Sequence, residues 1–161
     1  MWGSLTTKER LARRTLLGLI LTTGRGPSLK ALASRLEVSE SAAAELLSAL
    51  ERKVFLVRDQ RSNAIKAAYP LSIRPTPYRL ALKDTGRQRY AMCAIDALGV
   101  GPLFGVAVIV NAACPHCGRS IRIHVEERQI VAVKPAGVVV WDNLPELLTQ
   151  HEPDLNLAEH H

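Results

Sequence analysis

Apolar positions in the first fifty residues recur at helical spacing and fall into three blocks separated by turn residues. Residues 5–22 make the first block. Leu5, Leu16, Leu19 and Ile20 supply its apolar positions, and Lys8, Arg10, Arg13 and Arg14 its polar ones. Gly24, Gly26 and Pro27 stop it. Ser28 heads a short helix, Leu29–Leu36, and Ser39 a third, from Glu40 to about Lys53 with Ala43, Leu46, Leu47 and Leu50 on one face. A serine suits both starts because its hydroxyl accepts a hydrogen bond from an unpaired first-turn amide. From Val54 the period shortens to that of strands, with Val54–Val57, a turn at Asp59–Asn63, and Ala64–Tyr69. Three helices and a two-stranded ribbon are the element order of a winged helix, so residues 1–69 are expected to form a winged-helix-like lobe.

Pro70, Pro75 and Pro77 mark a Pro-rich linker over 70–77, and a second lobe is expected over 78–161. Tyr78–Lys83 alternates as a strand and Thr85–Arg87 turns. Tyr90–Leu98 reads as a helix ended by Gly99, Gly101 and Pro102. Strands follow at Val106–Val110, Ile121–Val125, Ile130–Val133 and Val138–Val140, then a polar tail with one short helix, Leu144–Thr149. The predicted class is α+β: a three-helix lobe packed on a mixed sheet that carries a cysteine-bearing helix.

Composition narrows the picture. Apolar residues are 47% of the 161 and aromatic ones only 4%, so the core rests on Leu, Val, Ile and Ala. No apolar run reaches the roughly 18 residues of a membrane span. Arg13-Arg14 followed by Thr15–Leu21 has the basic-then-apolar order of an export signal, but the same stretch suits the first helix of a folded lobe, which is the reading taken. The three cysteines, Cys93, Cys114 and Cys117, form no disulfide framework and point to reduced thiols in the cytoplasm. Charge is split: residues 1–90 hold 17 Lys and Arg against 7 Asp and Glu (+10), and the rest 4 against 8 (−4). The basic half raises nucleic acid as a partner. The third helix argues against it, because Glu40, Glu45 and Glu51 lie along it and only Arg52 and Lys53, at its far end, are basic. No DNA-binding residue is assigned.

Two groups carry chemistry. On a helix Cys93 and Asp96 share a face, so a soft nucleophile and a proton carrier reach one small molecule. A lone helical cysteine is more often core filler. The second group is Cys114-Pro115-His116-Cys117-Gly118, the C-x-x-C-G shape of a metal knuckle. Zinc needs four ligands; His116, His124, a C-terminal histidine or a second copy in a homodimer are the candidates for the rest. Loop packing and redox chemistry are its other readings. His151, His160 and His161 sit in the tail without ligand spacing. No phosphate loop, dinucleotide fingerprint or G-x-S-x-G is present.

The order Tyr90-Ala91-x-Cys93-Ala94-x-Asp96, then Cys114, then a nearby Gly, a β-branched strand and Val133-x-Pro135-Ala136-Gly137 resembles the alkylmercury (organomercurial) lyase family over about residues 78–140. A weaker likeness extends through the N-terminal lobe. The resemblance implies protonolysis of carbon–mercury bonds, with Cys93 as a thiolate that takes mercury and Asp96 as the proton carrier. It gives Cys114 a structural part. Mercury is then the substrate metal, no resident cofactor is required, and a low-molecular-weight thiol or a mercuric reductase receives the metal. The family's second catalytic cysteine, downstream of Pro-Ala-Gly, has no counterpart, so the second lobe is expected to be truncated or degenerate at its C-terminal end. Cys117 is the candidate to replace it, in a mercury site of Cys93, Cys114 and Cys117. A non-enzymatic Hg or Zn binding or sensing protein and a winged-helix regulator are the rival readings.

Overall fold

The computed structural model describes residues 4–140. The expected helix Leu144–Thr149 and His151, His160 and His161 lie outside the described residues. Backbone packing divides the chain into two compact units, with the division between Arg74 and Pro75.

The first unit runs α1 (Thr7–Thr23), α2 (Leu29–Leu36), α3 (Glu40–Arg52), β1 (Leu56–Arg58), β2 (Ile65–Ala68) and β3 (Leu71–Ser72). All three helices start on a hydroxyl: Thr6, Ser28 and Ser39 accept the amide hydrogens of Glu9, Ala31 and Ala42. Thr6 and Glu9 close a reciprocal capping box, which starts α1 after Leu5. Glu9 is only 7% exposed, and Lys53 Nζ donates to its two carboxylate oxygens at 2.8 and 2.7 Å. Those bonds, and then the Thr6 amide, draw the Glu9 pKa down to about 2. Arg13, from the export-like stretch, donates to the Tyr69 carbonyl at 3.0 Å and lies over the Phe55 ring, while Leu16, Leu17 and Ile20 are buried.

β1 begins two residues later than expected because Phe55 N–H still bonds the Leu50 carbonyl at the end of α3. It pairs antiparallel with β2, and β2 with β3. β3 falls inside the stretch expected as an open linker. Leu71 is fully buried, and burying it favours pairing over exposure, with the prolines kept outside the strand.

The second unit runs β4 (Arg79–Leu82), β5 (Gln88–Ala91), α4 (Ala94–Phe104), β6 (Val108–Ala113), β7 (Ser120–Glu126) and β8 (Gln129–Lys134). Its strands lie in the order β5-β4-β6-β7-β8, every neighbouring pair antiparallel. The expected mixed sheet is therefore corrected to an antiparallel one. β5 and β6, joined through α4, run the same way, but β4 lies between them and no parallel pair forms. Leu80, Leu82, Val108, Val110, Ile123 and Val125 alternate onto one buried face.

The helix also departs from expectation. It starts at Ala94 rather than Tyr90, and it runs through Gly99, Gly101 and Pro102 to end at Gly105 in the left-handed region (φ 66°). Gly101 is there for close approach: a Cβ on it would lie 3.1 Å from the Val106 carbonyl oxygen and 3.2 Å from Val125 Cγ1. Pro102 forfeits one amide donor, and burial of Ala97, Val100 and Gly101 carries the helix past it. Val138–Val140 form no strand.

Candidate functional site

Cys93 lies at a junction rather than inside a helix. Tyr90 and Ala91 close β5, and Cys93 is the N-cap of α4 in extended conformation. Its Sγ accepts the Asp96 amide hydrogen at 3.3 Å, and its S–H donates to Asp96 Oδ2 at 3.3 Å. Cys-x-x-Asp thus folds as a sulfur version of the Ser-x-x-Glu helix start: cap residue first, acid three positions on. The two residues meet, as their spacing led one to expect, but what joins them is the cap and not a shared helix face.

Cys93 is half-buried, and burial pushes its thiol up to about 11. The Asp96 charge and its hydrogen bond to the S–H push the same way, against the Asp96 amide, which favours the thiolate. At neutral pH the group is therefore a thiol whose proton is aimed at a carboxylate. Two further residues belong here that the sequence did not single out. Tyr78 has its phenol pKa raised by burial and next by negative charge at Cys93, so the two groups sense each other. Thr76 Oγ1 donates to the Ala91 carbonyl at 2.6 Å, and the Tyr78 carbonyl accepts the Ala91 amide at 3.0 Å. These bonds pin the chain two residues before Cys93.

The second group occupies the β6–β7 loop. Cys114 N–H donates to the Arg119 carbonyl and Gly118 N–H to the Cys114 carbonyl, both at 2.9 Å, and Gly118 takes the left-handed turn (φ 69°). Cys114 Sγ faces the amides of Cys117 and His116 and the Cys117 side chain. The Cys117 amide is the strongest influence lowering its pKa; the His116 amide, the Cys117 side chain and the Arg119 charge act in the same direction. Cys117 is exposed, and all three cysteines are free thiols.

Register relates the groups. Arg79 of β4 stands opposite Tyr90 on one side and Asn111 on the other, so Cys93 and Cys114 each come three residues beyond one row of the sheet. They follow the same end of the sheet, and the Tyr90 and Asn111 positions that lead into them are two strand spacings apart, on the order of 10 Å. Among the described residues no three His, Cys, Asp or Glu side chains gather at one point. The expected mercury set of Cys93, Cys114 and Cys117 is thus not assembled. Nor do His116 and His124 complete a zinc site. His124 sits opposite Ile109 in mid-strand, with Nε2 3.4 Å from Glu126 Oε2. Four residues of strand separate it from Ser120 at the loop, about 13 Å. In the first unit, the exposed positions of α3 include Glu40, Ser41, Glu45 and Arg52, a poor surface for a phosphate backbone. Among the described residues no helix is long and apolar enough to cross a membrane.

The family model for alkylmercury lyase matches residues 71–151, half of the chain. Alkylmercury lyases from Staphylococcus epidermidis and Bacillus cereus are each 39% identical to it, over 72 and 70 residues. One from Streptomyces lividans is 34% identical over 70 residues. These matches cover 44–45% of this chain and 31–32% of the relatives, so the chain spans about a third of the length of the curated relatives it matches. The crystal structure of the mercury-bound form of MerB2 superposes with a TM-score of 0.70 at 22% identity, covering 86% of this chain and 68% of that one. That superposition shows a shared fold, and the matched sequence, which contains Cys93, Asp96, Cys114 and Cys117, shows descent: the chain belongs to the alkylmercury lyase family.

Proposed function

We propose that this chain cleaves the carbon–mercury bond of organomercurials by protonolysis at Cys93 and Asp96. The observation that carries the reading is the 3.3 Å hydrogen bond from the Cys93 thiol to Asp96 Oδ2. When Cys93 Sγ bonds the mercury of R–Hg⁺, its proton passes along that bond to Asp96, giving R–Hg–S and a neutral carboxylic acid. Sulfur donation weakens the carbon–metal bond. Asp96 then returns the proton to the departing carbon, R–H leaves, and the carboxylate is regenerated as Hg(II) stays on sulfur. A low-molecular-weight thiol supplies the second sulfur and carries mercury away, to a mercuric reductase where one is present. Mercury is substrate throughout, and the reduced thiols this chemistry needs suit the cytoplasm.

The first unit acts as a winged-helix-like supporting lobe, a reading supported by its element order and by the acidic exposed positions of α3. The test is titration of reduced protein with an organomercurial in excess thiol, following bound mercury and released hydrocarbon. Hydrocarbon release that Cys93→Ser abolishes is the expected result. Mercury uptake without hydrocarbon would remove the enzyme reading and leave soft-metal binding or sensing.

A further inference from the structure

The β6–β7 loop takes no part in that chemistry, and its build is not that of a packing loop. Cys117 is exposed, so filling a core does not explain its thiol. The loop is held at its neck by two backbone hydrogen bonds of 2.9 Å and turned by Gly118 at positive φ. Within it the amides of His116 and Cys117 point at Cys114 Sγ, and the Cys117 side chain reaches the same sulfur. A C-x-x-C turn closed in this way is the build that brings two cysteine sulfurs to one point. Arg119 adds a positive charge beside it, offsetting the negative charge two thiolates would bring.

We propose that Cys114 and Cys117 form a two-sulfur chelating site for a soft closed-shell cation, of which Hg(II) and Cu(I) are the type, separate from Cys93. Two features fix the class. Both donors are cysteine sulfurs, soft ligands that select soft ions. Among the described residues no third His, Cys, Asp or Glu joins them. Zinc in a structural site takes four ligands, whereas closed-shell ions of the Hg(II) and Cu(I) kind are satisfied by two sulfurs. Binding replaces two S–H bonds by two S–metal bonds and releases the protons to solvent, with no change of oxidation state. The strands that lead into Cys93 and into this loop are separated by β4, so their Tyr90 and Asn111 positions stand two strand spacings apart, on the order of 10 Å. The site's existence does not depend on whether Cys93 and Asp96 cleave anything.

The experiment uses the full chain carrying Cys93→Ser, reduced and metal-free, titrated with mercuric chloride against an excess of a competing monothiol. Binding is read from the ultraviolet sulfur-to-mercury charge-transfer band and from released protons. The expected result is one tightly held mercury per chain. Adding Cys117→Ser weakens it by about 10²–10⁴, the effective-concentration advantage of two linked donors. His116→Ala leaves it unchanged, with circular dichroism reporting the fold of each variant. Failure of the Cys93→Ser protein to hold mercury against the monothiol overturns the proposal. So does full affinity after Cys117→Ser, or a site that takes zinc at one ion per two chains, which would be a tetrathiolate shared between copies.

Discussion

Cys93 and Cys114 end up at one edge of the same sheet, each three residues past a common row, yet their surroundings treat a thiol in opposite ways. Around Cys93 burial and the Asp96 carboxylate both oppose charge, and the backbone amides of Asp96 and Ile95 favour it. Around Cys114 two amides, a neighbouring thiol and Arg119 all favour charge, and only slight burial opposes it. The first arrangement keeps a proton and points it at a base; the second loosens its hold on one. A cysteine thus holds its proton more or less tightly according to what its neighbours do, and two residues of one kind in one lobe are pushed in opposite directions. The comparison can be broken at either end.

The largest effect is expected from Asp96→Asn. Removing the carboxylate takes away both the acceptor of the Cys93 proton and the charge that raises its pKa. The thiol should therefore ionise at lower pH while hydrocarbon release falls by about 10²–10⁴, the usual span for loss of a general acid. The two readouts separate roles: a carboxylate that only shaped the cap would shift the thiol titration and leave hydrocarbon release intact.

A smaller effect separates the sulfurs without any mercury. The Cys93 thiol is raised from 9.0 to about 11. Two units make its thiolate fraction at neutral pH about a hundredfold below that of an ordinary cysteine. Iodoacetamide at pH 7, with each cysteine followed by peptide mass spectrometry, should label Cys114 well before Cys93. Equal labelling rates at the two would mean that the sheet end imposes no such division.

The sequence announced the first unit well, because its information is local. A serine before the second and third helical blocks and the switch from helical to strand period are readable within a few residues, and α2 and α3 fall where those signals put them. The second unit was harder. Gly99, Gly101 and Pro102 look like a stop, and only the contact of Gly101 with Val125, a residue 24 positions away, reveals that glycine as a packing device. The position of β4 between β5 and β6 is equally non-local, and it decides that the sheet is antiparallel and that Cys93 and Cys114 stand apart. The Cys93–Asp96 pair was legible from spacing, while its cap geometry needed the end of β5 to be known. Thr76 and Tyr78 gave no signal, since they act from the segment that leads into a neighbouring strand.

The smallest effect concerns stability, and it tests whether Cys93 differs from Cys117 in the fold as well as in chemistry. Cys93 Sγ caps α4, whereas Cys117 is exposed in a loop. Loss of a good polar cap costs about 0.5–2 kcal/mol, and a sulfur acceptor belongs at the low end of that range. Cys93→Ala should therefore destabilise slightly in urea at pH 7, Cys93→Ser should match or exceed wild type, and Cys117→Ser should change nothing. The pH dependence gives a sharper form. A pKa raised by folding, from 9.0 to about 11, means that the folded state holds the Cys93 proton more tightly than the unfolded state does. Its contribution is complete below pH 9 and drains away as pH rises from 9 to 11. Glu9 makes the opposite limb: with its pKa lowered from 4.5 to about 2, its contribution is complete above pH 4.5 and is lost as pH falls toward 2. Urea midpoints measured across both ranges should show Cys93→Ser flattening the alkaline limb alone, while Cys117→Ser retains both. The raised Tyr78 phenol adds a limb of its own above pH 10, so a limb between pH 9 and 10 that survives Cys93→Ser would place its origin in another group and remove the buried-thiol half of the comparison.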